Sequence, residues 1–177
     1  MRYSLILKVL TAIICCYYEF AIAMLNDVDS KKPLKITAES AEFDRPNGTS
    51  KYIHNVKIDQ GDTHVHGNQV VTKQNKTNAL EEIIIYGDDN HLAYYEARPE
   101  PDKPKLIAIA NVIKFFPQKH YVILENQAQV IQGDNSIQGE HIEYDIEKQK
   151  MRALAKTSAN GEKTRTTIVI HPDQPVK

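Results

Sequence analysis

The chain has 177 residues, 41% hydrophobic and 25% charged, with a formal net charge of -1. That length and balance suit one globular domain with a sizeable core and exclude a disordered or low-complexity chain. A net charge near zero gives no electrostatic reason to expect nucleic acid, which needs a basic face to neutralise phosphates, so none is expected as a partner.

Met1 to Lys8 form a short basic start, Val9 to Cys16 is almost wholly apolar, and Ala21-Ile22-Ala23 supplies the small residues of a cleavage site. Residues 1–23 therefore read as a secretory signal peptide, with cleavage after Ala23. The apolar run is broken by Glu19 and is too short to span a bilayer; a retained anchor is the competing reading. Ile14 before Cys15 does not fit a lipoprotein signal. Cys15 and Cys16, the only cysteines, leave with this segment. Thiol catalysis, Cys-ligated zinc and disulfides are thereby excluded, and core burial with strand pairing must hold the mature chain. Taking Arg2, Lys8 and Glu19 from 22 basic and 23 acidic side chains leaves 20 and 22, a formal charge of -2.

Residues 24–32 are polar and are expected to be flexible. Leu34, Ile36 and Ala38 then alternate, and the phase slips at Ser40 before Ala41 and Phe43. Helix is the competing reading of Thr37 to Glu42, yet the same slip returns 72 residues later in Leu106, Ala108, Ala110, Ile113 and Phe115, which decides for strand. A turn at Asn47-Gly48, a strand Tyr52 to Gln60, a turn at Gly61-Asp62 and a strand His64 to Lys73 follow. Leu80 to Tyr86 and Leu92 to Ala97 read as strands, and Arg98 to Pro104 holds three prolines that forbid a central strand. The second half repeats the plan with Leu106 to Phe116, Tyr121 to Gln132, a strand from Asn135 to Asp145, Met151 to Thr157 and Thr164 to Ile170.

Gly133 to Tyr144 matches Gly61 to Thr72, and in each copy the apolar phase slips around the second glycine, from Val65 to Val70 and from Ile137 to Ile142. A strand that changes phase at glycine is a strand that bends, so Gly67 and Gly139 are predicted structural corners. The fold class is all-β: a slightly open antiparallel β-jellyroll of two similar units of about 72 residues. Gly139→Val is expected to distort the fold, and Glu143→Gln, on the outward face, to be nearly silent.

Lys32-Pro33-Leu34-Lys35-Ile36, the segment Asn135 to Tyr144, and Glu147-Lys148-Gln149-Lys150-Met151-Arg152-Ala153 resemble the OstA-like family of periplasmic lipopolysaccharide transport proteins. The resemblance covers Pro33 to Ile170, and it implies an OstA-like β-jellyroll domain over 33–171 with a C-terminal tail at 172–177. It further implies a periplasmic bridge that binds lipid A in an apolar groove and carries lipopolysaccharide from inner to outer membrane. Copies would stack end to end as a homo-oligomer, between an inner-membrane-anchored OstA-like relative and an outer-membrane lipopolysaccharide translocon. Neither catalytic residues nor a cofactor is implied.

The residues expected to line the groove are Leu34, Ile36, Phe43, Val56, Ile58, Val65, Val70, Ile84, Tyr94, Leu106, Phe115, Ile123, Val130, Ile137, Ile142, Tyr144 and Met151. A lipid trough and a dry β core have the same pattern in sequence, so a sealed interior is an equal alternative. Leu34, Ile36, Ile168 and Ile170 lie in β-prone segments without an interrupting proline and are expected at strand-addition edges.

His64 and His66 share one strand face, a spacing seen in metal sites, but no third ligand accompanies them and no metal is expected. His141, Glu143 and Asp145 read as a solvated face rather than an acid-base cluster. Gly-x-Ser-x-Gly, His-Glu-x-x-His and phosphate-loop patterns are missing, so no enzyme is expected. Two other functions compete: a β-scaffold of the same envelope assembly that carries no lipid, and a glycan-binding jellyroll, which the absence of Trp disfavours.

Overall fold

A computed structural model describes residues 32–98, 101–148, 150–155 and 164–171. The predicted signal segment, residues 24–31 and the tail at 172–177 lie outside them. The described residues form twelve strands and one 3-10 turn, Pro117–Lys119. The strands are β1 Lys35–Thr37, β2 Ser40–Asp44, β3 Thr49–Gln60, β4 Thr63–Gln74, β5 Leu80–Tyr86 and β6 Ala93–Ala97. They continue as β7 Leu106–Ala110, β8 Val112–Phe116, β9 Tyr121–Gln132, β10 Asn135–Asp145, β11 Lys150–Leu154 and β12 Thr167–Val169. Shifting β2 and β3 by 72 residues lands on β8 and β9, so the duplication read from sequence is a duplication of strands. The predicted single strands Leu34 to Phe43 and Leu106 to Phe116 are each two strands, broken where the apolar phase slips.

All strands join one antiparallel sheet with eight positions across it, and four long strands each cross a crease. On one side of the crease the order is β2, β3, β4, β5, β8, β9, β10, β11; on the other it is β1, β3, β4, β6, β7, β9, β10, β12. The two halves face each other over a shared core that includes Val70, Ile113, Leu124 and Ile142 from the first and Val65, Tyr95, Ala108 and Val130 from the second.

The crease has a local cause. Ile53 pairs Gln69 and Val56 pairs Gly67, so His54 and Asn55 together oppose the single residue Asn68. Glu125 pairs His141 and Ala128 pairs Gly139, so Asn126 and Gln127 together oppose Glu140. Both residues of each pair are left-handed: His54 at φ 60, Asn55 at φ 47, Asn126 at φ 60 and Gln127 at φ 54. An extra residue on one strand of an antiparallel pair bends that strand and shifts the side-chain phase of its partner. That shift is the slip seen in sequence at Val65 to Val70 and Ile137 to Ile142.

The corner glycines are not equal. A Cβ on Gly67 would lie 2.8 Å from Ile85 Cγ2 and 2.9 Å from the Tyr86 carbonyl, whereas on Gly139 the nearest atom, the Leu154 carbonyl, would be 3.3 Å away. Neither is left-handed; that conformation is held by the opposing strand. Gly67 and Gly139 each pair with the residue that follows a register shift, Val56 and Ala128, and the left-handed backbone lies on those opposing strands and not at the glycines.

Candidate functional site

Register sorts the side chains of each half into inner and outer rows. One inner row runs Ala41, Tyr52, Val70, Ile85, Ile113, Leu124, Ile142, Ala153, and the next runs Phe43, Ser50, Thr72, Ile83, Phe115, Val122, Tyr144, Met151. In the facing half the row is Ile36, Ile58, Val65, Tyr95, Ala108, Val130, Ile137, Ile168. An apolar interior therefore extends from the β1–β2 edge to the β11–β12 edge, seven strand spacings or roughly 34 Å.

The interior is sealed in the middle and exposed at its ends. Val70, Leu124, Ala93, Ala97, Ala108 and Ala110 are all 0% exposed. Among the described residues the large hydrophobics that stay exposed are Leu34 at 57% and Phe43 at 65% on one edge, and Leu154, Ile168, Val169 and Ile170 at 40% to 56% on the other. Edge positions lack one neighbouring strand to cover them. Ile36, Ile58, Ile137 and Met151 are half-buried against the core. Gln132, opposite Leu106, is buried with its Nε2 unpartnered.

Twelve of the seventeen expected groove residues fall on these inner faces: Ile36, Val56, Ile58, Val65, Val70, Leu106, Phe115, Val130, Ile137, Ile142, Tyr144 and Met151. Phe43 sits at the exposed end of an inner row, edge-on to Tyr52 with ring centroids 6.0 Å apart, and Leu34 is exposed just before β1. Three assignments are corrected. Ile84 lies between inward Ile83 and Ile85, Tyr94 between inward Ala93 and Tyr95, and Ile123 between inward Val122 and Leu124, so all three point outward. In the unbroken apolar end of this strand, Ile83 to Tyr86, nothing alternates, so the facing residue is undetermined without a partner strand. For Ile123 a signal existed: Val130 on the same strand has the opposite parity.

The outer faces carry the polar groups. Tyr94 donates its hydroxyl to Glu96 at 2.5 Å, Lys105 pairs with the same carboxylate, and His64 Nδ1 lies 2.7 Å from Asp59 Oδ1. Burial, reinforced by Glu96, pushes the Tyr94 phenol up to about 12. His64 and His66 line a shallow depression with Tyr94 and Glu96, and among the described residues no group of three or more His, Cys, Asp or Glu is placed to hold a metal ion. On the other half His141 Nε2 lies 3.0 Å from Glu143 Oε1 and Arg152 Nη1 3.8 Å from Oε2. The His141 hydrogen bond, then that of Tyr121, holds the Glu143 carboxyl below its ordinary value. The outward face is thus networked through Glu143 and is not simply solvated.

The fold defines an all-β protein of the creased antiparallel jellyroll class, with an apolar interior that runs from one exposed sheet edge to the other. Residues 35–150 match the family model described as LptA/(LptD N-terminal domain) LPS transport protein, and the chain belongs to that family. Lipopolysaccharide export system protein LptH of Pseudomonas aeruginosa is 34% identical over 154 residues, covering 86% of each chain. The LptA proteins of Haemophilus influenzae and Escherichia coli K12 are 28% identical over 158 residues and 27% over 150, covering 84% and 76% of their own lengths. The crystal structure of Pseudomonas aeruginosa LptH, the LptA homologous periplasmic component of the conserved lipopolysaccharide transport device of that organism, superposes with a TM-score of 0.67 at 36% identity. That match covers 81% of this chain and 99% of that one. The OstA-like resemblance and the all-β jellyroll are both borne out.

Proposed function

We propose that this chain is a periplasmic carrier of lipopolysaccharide, holding the lipid A acyl chains in its creased interior while they cross to the outer membrane. The observation that supports this reading is the continuity of the inner apolar rows from edge to edge, ending in exposed Leu34 and Phe43 at one end and Ile168 and Ile170 at the other. An acyl chain gains about 0.8 kcal/mol per buried methylene, so a dozen carbons place on the order of 10 kcal/mol at stake in leaving water. No such group crosses an aqueous compartment quickly unless it stays covered.

Because the middle positions are closed by protein side chains, acceptance of lipid requires the two halves to part about the crease. The half-buried residues Ile36, Ile58, Ile137 and Met151 then make first contact. The edges serve strand addition: copies join end to end, with an inner-membrane-anchored relative at one end of the stack and the outer-membrane translocon at the other. The chain performs no chemistry and draws its energy from elsewhere. The sealed middle favours one competing reading, a scaffold that links the membranes without carrying lipid.

A photo-crosslinking residue at Ile36 or Ile137 in living cells separates the two. Lipopolysaccharide adducts at these positions and not at outward Ile84 are expected; a folded protein with no adduct at any inward position leaves the scaffold. Ile168→Pro removes a backbone donor from the β12 edge and should reduce stacking, seen as loss of concentration-dependent oligomers.

A further inference from the structure

The chain contains, inside itself, a seam of the kind its two edges lack. The first unit ends in β5 and β6, the second begins in β7 and β8, and they meet through Ile85 opposite Ile113, Ile84 opposite Lys114, Ile83 opposite Phe115 and Tyr95 opposite Ala108. At the last edge β11 and β12 stand where β5 and β6 stand in the first unit. Ala153 lies opposite Ile142 as Ile85 lies opposite Val70, and Ile168 lies opposite Ile137 as Tyr95 lies opposite Val65. At the first edge β1 and β2 stand where β7 and β8 stand in the second, with Ile36 opposite Ile58 and Ala41 opposite Tyr52. Among the described residues, β1 and β2 pair only with β3, and β11 and β12 only with β10.

We propose that a second copy of this chain joins the first in the register of that internal seam, and that Glu42 and Arg152 select it. The inference rests on the end-to-end reading above and adds to it the residue pairing. Carried over position by position, the seam sets Met151 opposite Phe43 of the next copy, Arg152 opposite Glu42, Ala153 opposite Ala41 and Leu154 opposite Ser40. In the facing half it sets Thr167 opposite Thr37 and Ile168 opposite Ile36, which brings Ile170 to Leu34.

Three consequences agree with residues already in place. Among the described residues the exposed large hydrophobics all lie on these two edges, and this register joins Phe43, Ile36 and Leu34 to Met151, Ile168 and Ile170 on the inner side. On the outer side the acidic Glu42 meets the basic Arg152, where the internal seam has the uncharged Ile84 against Lys114. A slip by one residue would move every inner side chain of one edge to face an outer one of the other, and would part the charges. Opposite charges directly across an antiparallel pair stabilise it and like charges destabilise it, so β2 pairing with a second β2 through Glu42 is disfavoured.

The charge pair supplies a complementation test. Glu42→Arg places two guanidinium groups against each other at every junction and should weaken self-association roughly fivefold, as should Arg152→Glu, which does the same with two carboxylates. An equal mixture of the two variants regains association, because a junction between the unchanged edge of one variant and the unchanged edge of the other is again oppositely charged. Sedimentation of each variant alone and of the mixture reads this. Arg152 also contacts Glu143 within its own chain, so a second test avoids it. From Met24 onward the chain has no cysteine, so a single introduced thiol reports one position. Thr37→Cys mixed with Thr167→Cys should then oxidise to a dimer in high yield, and Thr37→Cys mixed with Val169→Cys should not. Stacking with the second pair linking better, or with no rescue in the charge mixture, overturns this register and leaves the end-to-end reading intact. A parental chain that stays monomeric at every concentration overturns both.

Discussion

Gln127 and His120 each adopt a left-handed backbone at φ 54 and φ 48 that their side chains disfavour, and the first-unit counterpart of His120 is Gly48 at φ 63. A non-glycine residue there costs about 1 kcal/mol, so His120→Gly should raise the unfolding free energy from urea titration by up to about that amount, less the unfolded-state freedom that glycine gains. Gly67→Ala should act in the opposite sense, destabilising by about 1–3 kcal/mol, because the Tyr86 carbonyl it would strike belongs to the backbone and cannot rotate away. Gly139→Ala should cost less. Glu143 carries a pH dependence. Its carboxyl is held below the ordinary value of 4.5, so its contribution is present above that pH and is lost as the pH falls through the lower folded value. Glu143→Gln should flatten that part of the acid limb and lower stability at pH 7 by under about 1 kcal/mol, since solvent screens the pair, read from urea titrations at several pH values.

Strand by strand, the test is which face a side chain serves. Val70→Ala and Leu124→Ala remove fully buried groups and should cost about 2–4 kcal/mol, whereas Ile84→Ala and Ile123→Ala, one residue away from inward positions, should cost under about 1 kcal/mol. Strand existence was legible in residues: β5 and β9 have the predicted bounds, and alternation in Leu106, Ala108 and Ala110 marks the inward face directly. Face assignment failed only where the pattern carries no parity, in Ile83-Ile84-Ile85, or where an aromatic neighbour looked equally apt, in Tyr94-Tyr95, or where the parity of a distant residue on the same strand went unused, in Ile123.

For the molecule as a whole, the duplication is what makes the interior continuous. Two units, each too narrow to bury its inner face alone, share a core across the seam between β5–β6 and β7–β8, and the two remaining edges repeat that unsatisfied state. Chemical denaturation should therefore show one cooperative transition rather than one per unit, with far-ultraviolet and tyrosine signals coinciding.

The sequence by itself determined the strand content, the doubled plan, the position of the crease and the family, because periodicity, turn residues and repeated spacing are local and survive without partners. Only the tertiary structure decided which residues of unbroken apolar runs face inward, that the strain of the crease sits at His54-Asn55 and Asn126-Gln127 rather than at the glycines, and that the centre is sealed while the edges are not. Those properties depend on which strand lies opposite and at what register, and pairing across a sheet is not encoded in the order of residues along any one strand.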